Sequence, residues 1–165
     1  MSFSLNAVRS LKACWRLAGN DDDGLKDLDL TQAGFWQSFA AIYLVAPLYL
    51  YSSAASARLA IPAQPEVSWF ATLSVLALLW VLWPWIMVTL AHMIGRERNY
   101  ARYIIAYNWS SVYIIAVFMP ILALQELGVM GNGIGAILGL LVVLWTLYYR
   151  WYLARLALDT TSLIA

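Results

Sequence analysis

A chain of 165 residues that is 63% hydrophobic and only 12% charged carries more apolar side chains than a soluble domain of this length needs, which excludes a water-soluble globular protein. The formal net charge of +1 identifies no partner. The single cysteine, Cys14, excludes an internal disulfide, and the sequence contains no His or Cys cluster spaced to hold a metal.

The first predicted element is an amphipathic helix near the N-terminus. Its apolar positions recur at helical spacing, at Ala7 or Val8, Leu11, Cys14 or Trp15, and Ala18. An apolar face that includes a Trp beside a basic face is typical of a helix in the headgroup region of a membrane. We therefore predict membrane-surface contacts for Arg9, Lys12, Trp15 and Arg16. A helix that binds a partner protein is the alternative.

An acidic segment follows, rich in Asp between residues 21 and 29. Its acids do not match a calcium loop, which needs carboxylates at alternating positions and a Glu at the twelfth. We predict a solvated linker, after which Asp29 or Thr31 caps the first spanning helix. The predicted domain boundary lies here, with an interfacial helix and linker over 1–30 and a transmembrane domain over 31–165.

Four long apolar stretches make up most of the remaining chain. They cover residues 33–57, 67–94, 103–125 and 127–149, and no Asp, Glu, Lys or Arg falls inside any of them. Each is long enough to cross a bilayer, which needs roughly 20 apolar residues per helix. The pattern predicts an all-α fold, a bundle of four transmembrane helices preceded by the interfacial amphipathic helix.

The positive residues are placed asymmetrically around these stretches. All but one of the ten Lys and Arg residues precede the first stretch, lie between the second and third, or follow the fourth, and the exception is Arg58. Cytoplasmic segments are enriched in such residues. We therefore expect a multi-pass protein of a bacterial inner membrane with both termini in the cytoplasm.

The fourth stretch carries a row of small residues. Gly131, Gly135 and Gly139 are spaced by four, so they lie on one helix face. Small residues at this spacing let a second helix approach closely. We predict a helix-docking surface, and the docked helix could belong to the same chain, to a second copy or to a partner.

Polar residues of the second and third stretches are expected at one depth on the cytoplasmic side. Folding the chain about residues 97 and 98 brings together a candidate polar site formed by Thr89, His92, Tyr107, Asn108 and Ser111, with Gln37 and Ser38 at a similar level. Polar groups within hydrocarbon need partners. The cluster could bind a headgroup, a cofactor edge or a partner side chain, or it could only hold helices together.

Residues 92–109 read His-Met-Ile-Gly-Arg-Glu-Arg-Asn-Tyr-Ala-Arg-Tyr-Ile-Ile-Ala-Tyr-Asn-Trp. This helix end, short turn of Gly and basic residues, and second helix opening with Tyr resemble the Yip family of multi-pass membrane proteins. The resemblance implies a non-enzymatic helical bundle that organises membrane or protein partners. Yip members usually have five spans where four are predicted here, and no stretch matches the family's acidic motif. The resemblance therefore assigns no site residue.

Catalytic machinery is not evident in the sequence. It shows no paired carboxylates, no nucleophile with an adjacent base and no metal-binding set, so we predict that the protein is not an enzyme. We expect an accessory or assembly subunit that docks to other membrane proteins through its transmembrane helices. The alternative is a small transporter or lipid-binding protein with its site in the polar cluster, and a membrane enzyme using His92 is a third.

The expected partners follow from this interpretation. They are the lipid bilayer and other membrane proteins or a second copy of the chain, with no nucleic acid. The sequence identifies no cofactor and no metal. Proton- or sodium-coupled transport usually needs a carboxylate within the membrane, and the four stretches contain none.

Overall fold

The computed structural model describes residues 3–60 and 67–160, and every regular element in these ranges is helical. The helices are α1 (Phe3–Ala18), α2 (Gln32–Ser38), α3 (Ile42–Leu59), α4 (Trp69–Met93), α5 (Tyr100–Glu126) and α6 (Asn132–Leu158), with 3₁₀ turns at Asp22–Asp27, Phe39–Ala41 and Glu97–Asn99. Four segments are long and apolar enough to cross a membrane: Gln32–Leu59, Trp69–Met93, Glu97–Glu126 and Asn132–Leu158. The predicted all-α fold with four spans is confirmed, and the chain is a multi-pass membrane protein.

Helix α5 is the centre of the bundle. Its first half contains most of its buried residues, between Tyr103 and Ser111, and α1, α2, α3 and α6 all pack against it. Helices α4 and α6 instead present large apolar side chains outward, such as Phe70 and Val81 on α4 and Leu140 on α6. Water would be an unfavourable neighbour for these faces, and lipid chains are a favourable one.

One end of the bundle, which we call the basic end, carries Arg96 and Arg98 at the turn between α4 and α5, Arg102 at the start of α5 and Arg155 near the end of α6. At the basic end the turn between α4 and α5 meets the end of α6, where Asn99 Nδ2 donates to the Leu158 carbonyl at 2.9 Å. Helix α1 lies near this end, since the Tyr149 hydroxyl donates to the Cys14 carbonyl at 2.9 Å. The opposite end holds the turn between α5 and α6 and the start of α4. The first and last described helices therefore approach the same end, as an even number of crossings requires.

Helix α6 begins and ends later than predicted. Residues 127–131 precede the helix and include a turn with Gly128 at φ +70°, and α6 covers the 27 residues Asn132–Leu158. At 1.5 Å per residue it extends about 40 Å, roughly 10 Å more than the hydrocarbon core of a bilayer. The prediction ended this span at residue 149 because Arg150 is charged. The structure keeps Arg150 within the helix because its guanidinium finds acceptors on α5.

Helix α1 forms as predicted, but it packs into the bundle through a face that the sequence did not indicate. It buries Asn6, Ser10, Ala13, Cys14 and Leu17. The predicted apolar face divides, because Cys14 lies 3.8 Å from the Ala106 carbonyl oxygen while Val8 and Trp15 stay exposed. Burial raises the pKa of the Cys14 thiol to about 12, so this side chain is protonated and acts as a packing residue.

The acidic segment is folded and is not the solvated linker that was predicted. Arg16 holds it through Asp21 Oδ2 at 2.7 Å and Asp27 Oδ2 at 2.5 Å. Leu25 and Leu28 join the core beside α1. These ion pairs give Arg16 a structural role in fixing the segment, and its predicted contact with the membrane surface stays a prediction.

A single hydrophobic core extends across the domain boundary predicted at residue 30, because buried residues of α1 pack together with residues of the transmembrane helices. Of the two candidate caps, Thr31 is the N-cap of α2, and its hydroxyl accepts from the Gly34 amide at 3.1 Å. Asp29 supports the cap by accepting from the Thr31 hydroxyl at 2.7 Å, which lowers the pKa of the Asp29 carboxyl. The first span therefore starts from a fixed turn.

Candidate functional site

A cavity of about 350 Å³ lies near the basic end between α4, α5 and α6. The side chains contributed by α4 and by α6 are mostly three, four or seven positions apart, which helical geometry places on one face. The lining residues are Trp83, Met87 and Leu90 of α4, Ile94 directly after α4, Tyr103 of α5, and Leu147, Arg150, Trp151, Ala154 and Leu158 of α6. Among these described residues, Arg150 alone is charged.

The guanidinium of Arg150 is fixed by three acceptors on α5. Its Nη1 donates to the Tyr107 carbonyl at 3.0 Å and to Ser110 Oγ at 2.9 Å, and its Nη2 donates to Ser111 Oγ at 2.8 Å. Both serine hydroxyls donate to the Tyr107 carbonyl, so they turn their lone pairs toward the arginine. The guanidinium carbon also lies 3.7 Å from the centre of the Tyr107 ring. Arg150 is therefore oriented by neutral groups.

The charge of Arg150 is not neutralised by a carboxylate within residues 3–60 and 67–160, where none of the ion pairs includes it. A half-buried cation attracts an anion strongly because few water molecules screen it. The Trp83 ring stacks on Tyr107 at 5.4 Å, which extends the aromatic wall beside the guanidinium. The cavity thus combines a fixed cation with an apolar and aromatic lining, a combination suited to an anionic amphiphile.

Three of the five predicted polar-site residues lie on α5, and two of these meet at Arg150. Tyr107 and Ser111 contact its guanidinium directly. Asn108 is buried on another side of α5, where its Nδ2 donates to Ser38 Oγ at 3.0 Å. Asn108 therefore ties α5 to the first span and does not reach the cavity.

The other two predicted residues, Thr89 and His92, do not join the cluster. Both are exposed on α4, whose buried positions here are Met87 and Ala91. A helix turns about 100° per residue, so Thr89, two positions from both Met87 and Ala91, points nearly away from them, and His92 points about 100° away from Ala91. The prediction compared how deep these residues lie in the membrane, but it did not consider which face of α4 each side chain occupies. His92 instead pairs with Glu97, Nδ1 to Oε1 at 2.9 Å.

A second polar group ties α1 to the bundle. Asn6 Nδ2 donates to Gln37 Oε1 at 2.6 Å, and the Ser10 hydroxyl lies 3.4 Å from Asn6 Oδ1. Asn6 and Ser10 are buried, so these bonds satisfy groups that would otherwise be costly in the core. These hydrogen bonds hold α1 in place, and we assign them a structural role.

Three of the predicted membrane-surface residues are available for that role. Arg9 and Lys12 are exposed, and Trp15 is 67% exposed on the same helix. Leu5 and Val8 add exposed apolar surface beside them. The position of α1 at the membrane surface stays a prediction, and the structure identifies the residues on the exposed face of this helix.

The glycine row of α6 does not dock another backbone within the described bundle. Gly135 is buried against the Gln125 side chain, and a Cβ at Gly135 would lie 2.1 Å from Gln125 Cδ. A Cβ at Gly131 or Gly139 would meet nothing within 4 Å. Within the chain, the predicted docking along the whole row is therefore wrong, and only Gly135 is closely packed. Docking of this row to a second chain stays a prediction.

The sequence reasoning missed Arg150 and Ser110. Arg150 directly follows the fourth apolar stretch, and a charge in that position usually marks the end of a span. The adjacent hydroxyls of Ser110 and Ser111 were the available signal, since they can accept from a guanidinium on a neighbouring helix. Within the described ranges, no group of three His, Cys, Asp or Glu side chains is placed to hold a metal ion.

Comparisons with known proteins found no match to any family model, to any curated protein or to any solved structure. The resemblance of residues 92–109 to the Yip family therefore stays a prediction.

Proposed function

We propose that this protein is a non-catalytic lipid-binding membrane protein that holds the phosphate of an anionic lipid at Arg150. The observation that carries the proposal is the guanidinium at the cavity wall, oriented by Tyr107, Ser110 and Ser111 and paired with no carboxylate of the described chain. An arginine fork matches a phosphate in geometry and charge. A surrounding of low polarity strengthens their attraction.

The depth of the cavity supports a headgroup as the ligand. Tyr149, the neighbour of Arg150, bonds to Cys14 of α1, so the guanidinium and α1 lie at a similar depth. The exposed side of α1 combines Lys12 with Trp15, which suits the headgroup region. A phosphate in that region would reach Arg150, and its acyl chains would extend along the apolar faces of α4 and α6.

The proposed location is a bacterial inner membrane, with the basic end and both termini in the cytoplasm. The asymmetry of Lys and Arg supports this orientation. The ligand would then come from the cytoplasmic leaflet, whose anionic lipids attract basic segments.

Lipid binding by the whole protein tests the proposal. The protein, purified in mild detergent, would be titrated with phosphatidylglycerol or phosphatidylcholine, and bound lipid would be counted by native mass spectrometry. We expect tighter binding of phosphatidylglycerol and a loss of about 10- to 100-fold in Arg150→Met, because a hydrogen bond to a charged group contributes roughly 1.5–3 kcal/mol.

Arg155→Met is the matched control. Arg155 lies on the same helix beside the rings of Trp151 and Tyr152, at 5.5 and 5.8 Å, and it does not line the cavity. Equal losses in the two variants would show that net charge governs binding. No preference for phosphatidylglycerol in the unmodified protein would contradict the proposal.

The accessory-subunit role is the second candidate. The free space beside Gly131 and Gly133, together with the exposed apolar side chains of α6, supports a contact with another transmembrane helix. Recovery of the protein from native membranes with a larger complex at fixed stoichiometry would favour this role, and recovery of the chain alone would count against it.

A further inference from the structure

A second cavity, of about 560 Å³, lies toward the opposite end between α3, α5 and α6. Its volume falls within the roughly 300–1,000 Å³ of small-molecule sites. It is separate from the Arg150 cavity, with which it shares no lining residue. An occupant of this cavity is therefore independent of the lipid phosphate proposed at Arg150.

The wall near the helix ends is polar and uncharged. Ser56 of α3, Gln125 of α5 and Asn132 of α6 line it, and no charged side chain is among the described lining residues. Ser56 and Asn132 are exposed and Gln125 is half-buried, so a ligand in the cavity can reach their donors and acceptors. A charged head would be left unpaired here, whereas hydroxyl or ester groups would be matched.

The nearest charges are already engaged with each other. Glu126 accepts from Arg58 Nε at 2.7 Å and from the Tyr51 hydroxyl at 2.6 Å. This group closes the outer end of α3 onto α5 beside the cavity. The polar wall therefore offers dipoles rather than a net charge to an occupant.

Deeper in the bundle the wall is apolar and contains free volume. Ile115, Phe118 and Ile121 of α5 line this part together with Gly139 of α6. Because Gln125 lies against Gly135, the antiparallel register places Gly139 about one turn farther into the bundle. A Cβ at Gly139 would meet nothing within 4 Å, so the missing side chain leaves room beside these apolar groups.

We propose that this cavity binds an uncharged amphiphile that has a hydroxyl- or ester-bearing head and a hydrocarbon tail. The head bonds to Ser56, Gln125 and Asn132, and the tail lies between Phe118 and Gly139. The ligand enters from the leaflet at the opposite end of the bundle. The probe for this class is a monoacylglycerol, because its glycerol hydroxyls and ester match these side chains.

Photolabelling of the full-length protein in phosphatidylcholine nanodiscs tests the proposal. Two probes with the same diazirine-bearing chain would be compared, a monoacylglycerol and the corresponding fatty acid, and labelled peptides would be located by mass spectrometry. We expect the neutral probe to label the cavity segments of α3, α5 and α6. Unlabelled monoacylglycerol should compete, and the fatty acid should label these segments about tenfold less.

Gly139→Leu fills the cavity without meeting the backbone, and it should lower this labelling by about tenfold. Gly133→Leu is the matched control, because a Cβ there also meets nothing and Gly133 does not line the cavity. Ser56→Leu fills the polar end of the cavity from α3 and removes a contact to the head, so it should also lower the labelling, and the test does not depend on one variant folding. Circular dichroism and size-exclusion chromatography would verify folding.

Several outcomes would overturn the proposal. Full labelling in folded Gly139→Leu and Ser56→Leu would place the probe elsewhere. Equal labelling by the fatty acid would show that the polar wall does not select an uncharged head. A polypeptide cross-linked to the cavity residues and displaced by neither probe would identify a partner helix as the occupant.

Discussion

Replacement of Arg150 by Met is expected to separate the intrinsic stability of the bundle from its stabilisation by lipid. The substitution removes three hydrogen bonds and the contact with the Tyr107 ring. It also removes a half-buried charge without a carboxylate partner, whose desolvation costs several kcal/mol. The lost bonds and the relieved desolvation are of similar size. We therefore predict that lipid-free stability changes by less than about 2 kcal/mol.

The effect of lipid should be much larger in the unmodified protein than in the variant. A ligand at 100 times its Kd stabilises a protein by about 2.7 kcal/mol. If Arg150→Met raises Kd by about 10- to 100-fold, the same lipid concentration stabilises the variant by only about 0.4–1.4 kcal/mol. For a chain of this length the difference corresponds to a Tm shift smaller by about 3–9 °C.

The assay is thermal unfolding in detergent, with and without phosphatidylglycerol, for the unmodified protein, Arg150→Met and Arg155→Met. We expect the lipid-dependent shift to be retained in Arg155→Met and mostly lost in Arg150→Met. An undiminished shift in Arg150→Met would refute the assignment of the cation as the phosphate ligand. A collapse of Arg150→Met in the absence of lipid would show that Arg150 serves mainly to hold α6 against α5.

Three further predictions concern other parts of the molecule. Gly135→Leu should lower stability by about 1–3 kcal/mol because it overpacks against Gln125, as measured by thermal unfolding, and adding Gln125→Ala should recover part of the loss. The pKa of the Asp29 carboxyl is lowered in the folded protein, so its capping contribution to stability is fully present above the unfolded-state pKa of about 3.9. This contribution is lost as the pH falls through the folded-state pKa. Asp29→Asn should therefore reduce the acid sensitivity of the Tm. In intact cells Lys12→Cys should be protected from an impermeant maleimide and Val129→Cys should react.

Each of these predictions has a control. Gly133→Leu should leave stability nearly unchanged, and an equal loss there would remove close packing as the explanation for Gly135. An unaltered pH profile in Asp29→Asn would mean that this cap contributes little. The labelling experiment uses a Cys14→Ser background, and the reverse labelling pattern would invert the proposed orientation. Cys14 itself should react only after unfolding, because it is buried and its thiol pKa is raised.

The four spans were predictable because hydropathy and the absence of charge are properties of the sequence alone. A run of apolar residues also encodes its approximate length, so the first three spans lie close to their predicted bounds. The end of α6 could not be obtained in this way. A charge extends a span when another helix satisfies it, and the serines that satisfy Arg150 lie 40 and 39 residues away in sequence.

The sequence predicted the level of the candidate site along the membrane normal, but not which face of each helix points toward it. Antiparallel folding about the turn at 97 and 98 places Tyr107 and Ser111 near the right level, and both contact Arg150. The rotation of each helix about its axis depends on packing between helices, which one sequence with weak amphipathicity does not reveal. Thr89 therefore faces outward. Helix α1 is amphipathic, yet the face that it buries was also missed, because burial of Asn6 would not be expected from its polarity.

The most direct measurement of the central claim is the distance between the Arg150 guanidinium and a lipid phosphate. Arginine-¹⁵N-labelled protein in phosphatidylglycerol bilayers would be examined by ¹⁵N–³¹P dipolar recoupling in solid-state NMR. We predict a strong coupling that corresponds to direct hydrogen bonding, with nitrogen and phosphate oxygen about 2.8 Å apart. The component of that coupling that belongs to Arg150 should disappear in Arg150→Met and persist in Arg155→Met, whereas Arg9 at the membrane surface contributes equally in all three proteins. A coupling of equal strength in all three proteins, or none in the unmodified protein, would contradict the account.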